Sequence, residues 1–138
     1  MDRINASMNA SSRFGQQSAA DVLIVEDESV SRRALTSLLA SSGYTPAAYE
    51  SAEEALEDVD GGPLPRVALV DVDLPGMSGL DLAARLEQID PQVRTVLITA
   101  TEGDRIDRFR QVHGVHYLRK PLDFPRLLSL LACCGPQQ

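Results

Sequence analysis

Four acids, one hydroxyl and one amine carry the chemistry that this chain can offer. Glu26-Asp27, Asp71 with Asp73 two residues on, Thr99-Ala100 and Lys120 each stand at the end of a short apolar run. Where three carboxylates meet, each pair about 4 Å apart repels by about 4 kcal/mol at an effective dielectric near 20. Two arrangements relieve this: one carboxyl keeps its proton, or a hard divalent cation sits among the acids. No histidine or cysteine accompanies them in sequence, which favours Mg²⁺ over zinc. A cation held by few protein oxygens keeps open positions and suits a phosphoryl group whose charge it can share. Lys120 would add a point charge at the same phosphoryl oxygens, Thr99 a hydroxyl and Ala100 a backbone N–H. Lys120 is the only lysine among 13 basic residues, and a compact ammonium is not interchangeable with a guanidinium in a small site.

The elements that must position these groups follow from hydrophobic periodicity. Val22-Leu23-Ile24-Val25 is a short β-branched run that reads as a buried strand, followed by a helix with Val30, Ala34, Leu35, Leu38 and Leu39 inward and Gly43 as its left-handed cap. Residues 44–49 read as a second strand, placed at a sheet edge by Pro46. Ser51-Ala52-Glu53-Glu54 is a capping box that opens a short helix with Ala55, Leu56 and Val59 inward. The alternation continues with a strand at Val67 to Val70, a helix capped by Ser78 with Leu82, Ala83, Leu86 and Ile89 inward, and a strand at Val96 to Ile98. A weakly patterned helix then opens near Thr101 with Ile106, Phe109 and Val112 inward, before a strand at Val115 to Leu118 and a last helix through Leu127, Leu128 and Leu131. Five strands alternating with five helices imply an α/β fold, a doubly wound parallel sheet in a single domain. In such sheets the functional crevice lies at the carboxyl ends of the strands, where the acids, Thr99 and Lys120 fall.

With 138 residues, 43% hydrophobic and 24% charged, the chain suits one globular domain. Its net charge of −7 argues against phosphate-backbone binding as a main activity, so no direct nucleic-acid partner is expected. No apolar run approaches the roughly 18 residues of a membrane span. Residues 1–20, rich in Ser, Asn, Ala and Gln, read as a disordered tail, residues 21–134 as the domain and 135–138 as a second tail; the expectation is one domain with no output domain in these residues, acting by docking or relay or as a piece of a longer chain. Adjacent Cys133 and Cys134 can neither staple a core nor form a Cys-x-x-Cys motif, which suits a reducing cytoplasm.

The set Glu26-Asp27, Asp71 in Val70-Asp71-Val72-Asp73-Leu74-Pro75-Gly76-Met77-Ser78-Gly79, Thr99-Ala100 and Lys120-Pro121 resembles the receiver domain of two-component response regulators, of the single-domain type. The resemblance covers about residues 21–134 and implies a flavodoxin-like (βα)5 fold. It implies that Asp71 accepts a phosphoryl group from a phosphohistidine on a sensor histidine kinase or histidine phosphotransfer protein. Mg²⁺ would be held by Glu26, Asp27, Asp71 and the backbone carbonyl of Asp73. Lys120 and the Ala100 N–H would contact the phosphoryl group, with Thr99 and Tyr117 as switch residues, and Asp73 and Thr101 would tune how fast the group is lost to water. An output protein, not identifiable from sequence, would dock on the surface of the fourth helix, fifth strand and last helix, and a homodimer is compatible with this reading. The protein would be a self-modifying phosphoacceptor rather than an enzyme acting on other substrates. Two features depart from the family pattern: Glu26 stands where Asp is common, and Gly114 precedes Tyr117 by one residue fewer than usual.

Blander readings stand beside these. Asp71-Val72-Asp73 is also similar to the Asp-x-Asp of haloacid-dehalogenase-type phosphohydrolases, although there the motif ends the first strand of a larger domain. A receiver-like interaction module that takes no phosphate is a third reading. Arg105, Arg108 and Arg110 with Asp104 and Asp107 read as a solvated helix face, and His113 and His116 as ordinary surface or strand residues.

Overall fold

The computed structural model describes residues 20–59, 63–101 and 103–134, so the two expected tails lie outside the described residues except for Ala20. Ten elements alternate: β1 (Val22–Val25), α1 (Ser29–Ser41), β2 (Pro46–Tyr49), α2 (Ala52–Val59), β3 (Val67–Asp71), α3 (Gly79–Ile89), β4 (Arg94–Thr99), α4 (Asp104–His113), β5 (His116–Arg119) and α5 (Phe124–Cys134). All strand pairings are parallel, and the order β2-β1-β3-β4-β5 is that of a flavodoxin-like doubly wound sheet. Pro46 lies on the edge strand, where its missing N–H breaks no inner ladder.

Both faces of the sheet are covered, which explains why β1 and β3 read as unbroken apolar runs rather than alternating ones. Leu23, Val25, Ala68, Val70 and Leu97 point to one face and pack with Ala52, Ala55, Val59, Leu82, Leu86 and Ile106 of α2, α3 and α4. Val22, Ile24, Val67, Leu69, Val96 and Ile98 point to the other and pack with Leu35, Leu39, Leu127 and Leu131 of α1 and α5. Each fully buried leucine contributes about 1.5–3 kcal/mol to this clamp.

Helical phase corrects three of the inward assignments, and position at a helix end corrects a fourth. Leu35 and Leu39 set the buried stripe of α1, and Val30 lies about 140° from Leu35 at 100° per residue; it is 67% exposed, and Ala34 is exposed as well. Val112 lies about 120° from Ile106 and is 77% exposed. Ile89, the last residue of α3, is 37% exposed. As a result α4 has one fully buried side chain, Ile106, with Phe109 half-buried beside it.

The loop after β3 is fixed by a close backbone approach. Gly79, the first residue of α3, donates its N–H to the Val72 carbonyl at 3.1 Å, and a Cβ at this position would lie 2.1 Å from the Asp71 carbonyl oxygen. Ser78 caps α3 by accepting from the Asp81 N–H at 3.2 Å. Gly79→Ala should therefore cost about 3 kcal/mol in urea unfolding, the upper range for overpacking, whereas Val30→Ser should change stability by less than about 0.5 kcal/mol. A tolerated Gly79→Ala would show that the loop is not clamped in this way.

Candidate functional site

The strand order places the site. β1 and β3 are neighbours whose helices leave on opposite faces, so the crevice between their carboxyl ends is open, and both strands end in acids. Glu26 follows Val25, Asp27 follows it, and Asp71 is the last residue of β3. Glu26 and Asp71 are buried and Asp27 is exposed at the rim. One carboxylate oxygen from each of the three lies within 4.8 Å of the others, the one such cluster among the described residues. The donor set is all oxygen, two members buried and one open to solvent, which fits a hard divalent cation with free positions.

Lys120 reaches the cluster from the far side of β4. Its Nζ donates to Glu26 Oε1 and to Asp71 Oδ2, both at 3.2 Å. The other Asp71 oxygen, Oδ1, accepts the Asp73 N–H at 2.9 Å, so both oxygens of this carboxylate are held. Glu26 Oε2 accepts the Glu28 N–H at 3.1 Å. Arg32, one turn into α1, donates to the carbonyls of Glu26 at 3.0 Å and Asp27 at 3.3 Å and so fixes the backbone that presents both acids.

Burial pushes the Glu26 carboxyl above its ordinary range; the Asp71 charge adds to the rise, and the Glu28 N–H and Lys120 only partly oppose it. For Lys120 burial acts to lower the value, but the charges and hydrogen bonds of Asp71 and Glu26 together hold it above the usual lysine range. The ammonium therefore stays charged, and the strain of the cluster falls on Glu26.

Thr99, the last residue of β4, is fully buried one strand over from Asp71. Its hydroxyl donates to the Thr101 carbonyl at 2.9 Å and accepts the Thr101 N–H at 3.0 Å, closing a local turn instead of facing the acids. Ala100 is exposed beside it, and Asp73 is exposed above Asp71. Tyr117, half-buried on β5, is covered by Arg110 of α4, whose guanidinium carbon lies 4.4 Å from the ring centroid. The sequence-predicted residues therefore share one end of the sheet, with Glu26, Asp27, Asp71 and Lys120 in a single cluster and Thr99 and Tyr117 leading away from it toward α4. Arg32 and Arg110 were missed. Arg32 acts through backbone carbonyls, which leave no side-chain signature. Arg110 sits in a charged segment that reads as a solvated face, and His113 of that segment likewise meets Glu87 of α3.

Comparison with known proteins agrees with this fold. The response regulator receiver domain family matches residues 22–132. The chain is 32% identical over 111 residues to the DNA-binding transcriptional regulator NtrC of Escherichia coli, covering 80% of this chain and 24% of that protein. It is 35% identical over 122 residues to the two-component response regulator ORR6 of Oryza sativa, covering 82% of this chain and 71% of that one. The chain thus spans about a quarter of the length of NtrC. Among solved structures, TrrA of Thermotoga maritima in complex with Mg(2+)-BeF is similar with a TM-score of 0.73 and 27% identity, covering 82% of this chain and 96% of that one. A signal receiver domain of an HD domain-containing protein from Pseudomonas fluorescens is similar with a TM-score of 0.75 and 26% identity, covering 82% and 91%.

A folded-state value raised above the unfolded one means that the Glu26 proton favours folding at low pH, and that this contribution is lost as pH rises through the raised value. Glu26→Gln, uncharged at every pH, should therefore be more stable than the wild type in urea at pH 7 with a chelator present. The gap should shrink as the pH falls from the raised Glu26 value toward about 4, and close below that, where the wild-type carboxyl is protonated in the folded and unfolded chains alike. A variant no more stable at pH 7 would show that Lys120 already offsets the cost of the buried charge.

Proposed function

The chain belongs to the response regulator receiver domain family, and from that premise we propose that residues 21–134 form a receiver that takes one phosphoryl group on Asp71 in a Mg²⁺-dependent reaction. The observation that carries this reading is the single ammonium of Lys120 shared between two buried carboxylates, beside a third that opens to solvent. An Asp71 oxygen attacks the phosphorus, forming the new O–P bond as the N–P bond to a donor histidine breaks and its electron pair leaves with the imidazole. The donor histidine belongs to a sensor kinase or a phosphotransfer protein.

Glu26, Asp27, Asp71 and the Asp73 carbonyl are the residues that would hold the metal. When bound, Mg²⁺ would share the charge of the phosphoryl oxygens and remove the repulsion among the acids. Lys120 turns its ammonium from the Asp71 carboxylate to a phosphoryl oxygen, and the Ala100 N–H supplies a neutral donor. Thr99 leaves the Thr101 backbone and moves its hydroxyl toward the phosphoryl group. The β4–α4 loop and Tyr117 then rearrange, altering the surface of α4, β5 and α5 for a partner protein or a second copy of the chain. Asp73 and Thr101, at the mouth of the site, govern access of water and hence the lifetime of the aspartyl phosphate. This chemistry belongs in the cytoplasm, and no helix among the described residues is long and apolar enough to cross a membrane.

Incubation with acetyl phosphate and Mg²⁺ should add the mass of one phosphoryl group, a gain prevented when a chelator is present from the start and absent in Asp71→Asn. Lys120→Met should slow the reaction by about a hundredfold or more, the usual loss when one charged donor is taken from a phosphoryl site. No mass gain in the wild type would overturn the proposal in favour of a non-phosphorylated interaction module. Steady turnover of phosphomonoesters would point instead to a phosphohydrolase.

A further inference from the structure

The loop that follows Asp71 is anchored at both ends but spans residues 72–78 between them. At its start the Asp73 N–H is bound to Asp71 Oδ1, and at its end Gly79 lies against the Asp71 carbonyl. Its middle is held from another element. Gly76 takes a left-handed conformation at φ +72°, which turns the Met77 N–H outward, and that N–H donates to Glu53 Oε2 on α2 at 2.9 Å. A Cβ at position 76 would lie 2.7 Å from the same oxygen, so the carboxylate occupies the space that a side chain there would need. Glu53 is itself presented by a well-fixed helix start: Ser51 Oγ accepts the Glu54 N–H at 3.1 Å, and Glu54 Oε1 accepts the Glu50 N–H at 3.1 Å. The Met77 N–H first, and the Glu53 backbone N–H second, draw the Glu53 carboxyl below its ordinary range, so it is ionised wherever the site would work.

We propose that Glu53 is a positioning residue: a strut from α2 that sets the course of the 72–78 loop and through it the backbone of Asp73 and the orientation of the Asp71 carboxylate. The inference rests on the metal-site reading above but concerns a residue that touches neither the metal nor the phosphoryl group. Glu53 lies 24 residues from its partner Met77, so this contact ties α2 to the loop beside the acids, alongside the packing of Leu74 and Met77 in the core cluster that α2 shares. Its side chain is exposed, so truncation opens no cavity, and an effect on the site can be separated from an effect on the core.

The test uses the whole chain, with Mg²⁺ affinity measured by titration calorimetry and amide hydrogen exchange followed at Asp73 and Met77. Glu53→Ala removes the acceptor, and Glu53→Asp withdraws it by one methylene. Both should weaken Mg²⁺ binding by about threefold to tenfold, at or below the lower end for groups that orient a metal ligand, and both should speed exchange at Asp73 and Met77. Glu53→Gln keeps a carbonyl oxygen at the same reach and should restore both readouts to near the wild-type level. Loss in Glu53→Gln equal to that in Glu53→Ala would overturn the strut, because charge and not reach would then be acting. Faster exchange at Met77 alone, with Asp73 and Mg²⁺ affinity unchanged, would overturn it as well. A wild type that binds no Mg²⁺ would instead remove the metal-site reading, and the Asp73 exchange rates would still decide whether the strut exists.

Discussion

One ammonium group held between two buried carboxylates is the contact on which the rest of this site depends. Glu26 and Asp71 approach because β1 and β3 are hydrogen-bonded neighbours, roughly 4.8 Å apart, and both strands end at the same level. Left to themselves, two ionised carboxyls at that spacing would drive one toward its protonated form. Lys120 comes from the end of β5, two strands away from β3, a distance of roughly 10 Å that only a long flexible stem can cross. An arginine would bring a planar fork where two separate single contacts are needed, one to each acid. The identity of this residue and its place after β5 are therefore set by the width of the sheet.

Holding charges in this way is costly, and the fold carries the cost in its two apolar clusters rather than near the site. The inner strands contribute side chains to both faces, so the carboxyl ends of β1 and β3 are the rigid part of the molecule. Rigidity falls off toward α4. That helix buries Ile106, packs Phe109 half-buried beside it, and adds two polar ties, His113 to Glu87 of α3 and Arg110 over Tyr117. Elements with few buried apolar contacts open at the lowest free energy. The segment next to Thr99 is thus the softest of the packed helices, while the acids sit on the stiffest strands.

This division also explains what was legible in the sequence. Val22 to Val25 and Val67 to Val70 announce themselves because every residue is buried, and the acids that end them are then placed by topology alone. Arg94 and Thr95 belong to β4 but break its apolar run, so the strand begins two residues before its pattern does. Val30 and Val112 fail for the opposite reason, since an apolar residue near a helical stripe looks inward until the phase is fixed by neighbours such as Leu35 or Ile106. The contacts of Glu53 and Arg32 were not legible at all. Each binds backbone groups across a gap in the chain, and backbone partners have no residue type to signal them. The turn that Thr99 makes with Thr101 was hidden likewise, because a β-branched residue at a strand end is ordinary on its own.

That turn bears on how a charge at Asp71 could be felt at α4. If its hydroxyl moves toward a phosphoryl oxygen, Thr99 gives up its two hydrogen bonds to the Thr101 backbone, at about 0.5–1.5 kcal/mol each, and its 3.3 Å contact with the Thr101 hydroxyl. A hydrogen bond to a charged oxygen returns about 1.5–3 kcal/mol. The two sums are nearly equal, so the β4–α4 loop would lie close to balance between its two arrangements rather than deep in either. A ligand shifts such an equilibrium only by the difference in its affinity for the two states. Because the gain and the loss nearly cancel here, such a switch would require the weak anchoring of α4: a helix with several more buried leucines would hold the loop where it is, whatever happened at Asp71.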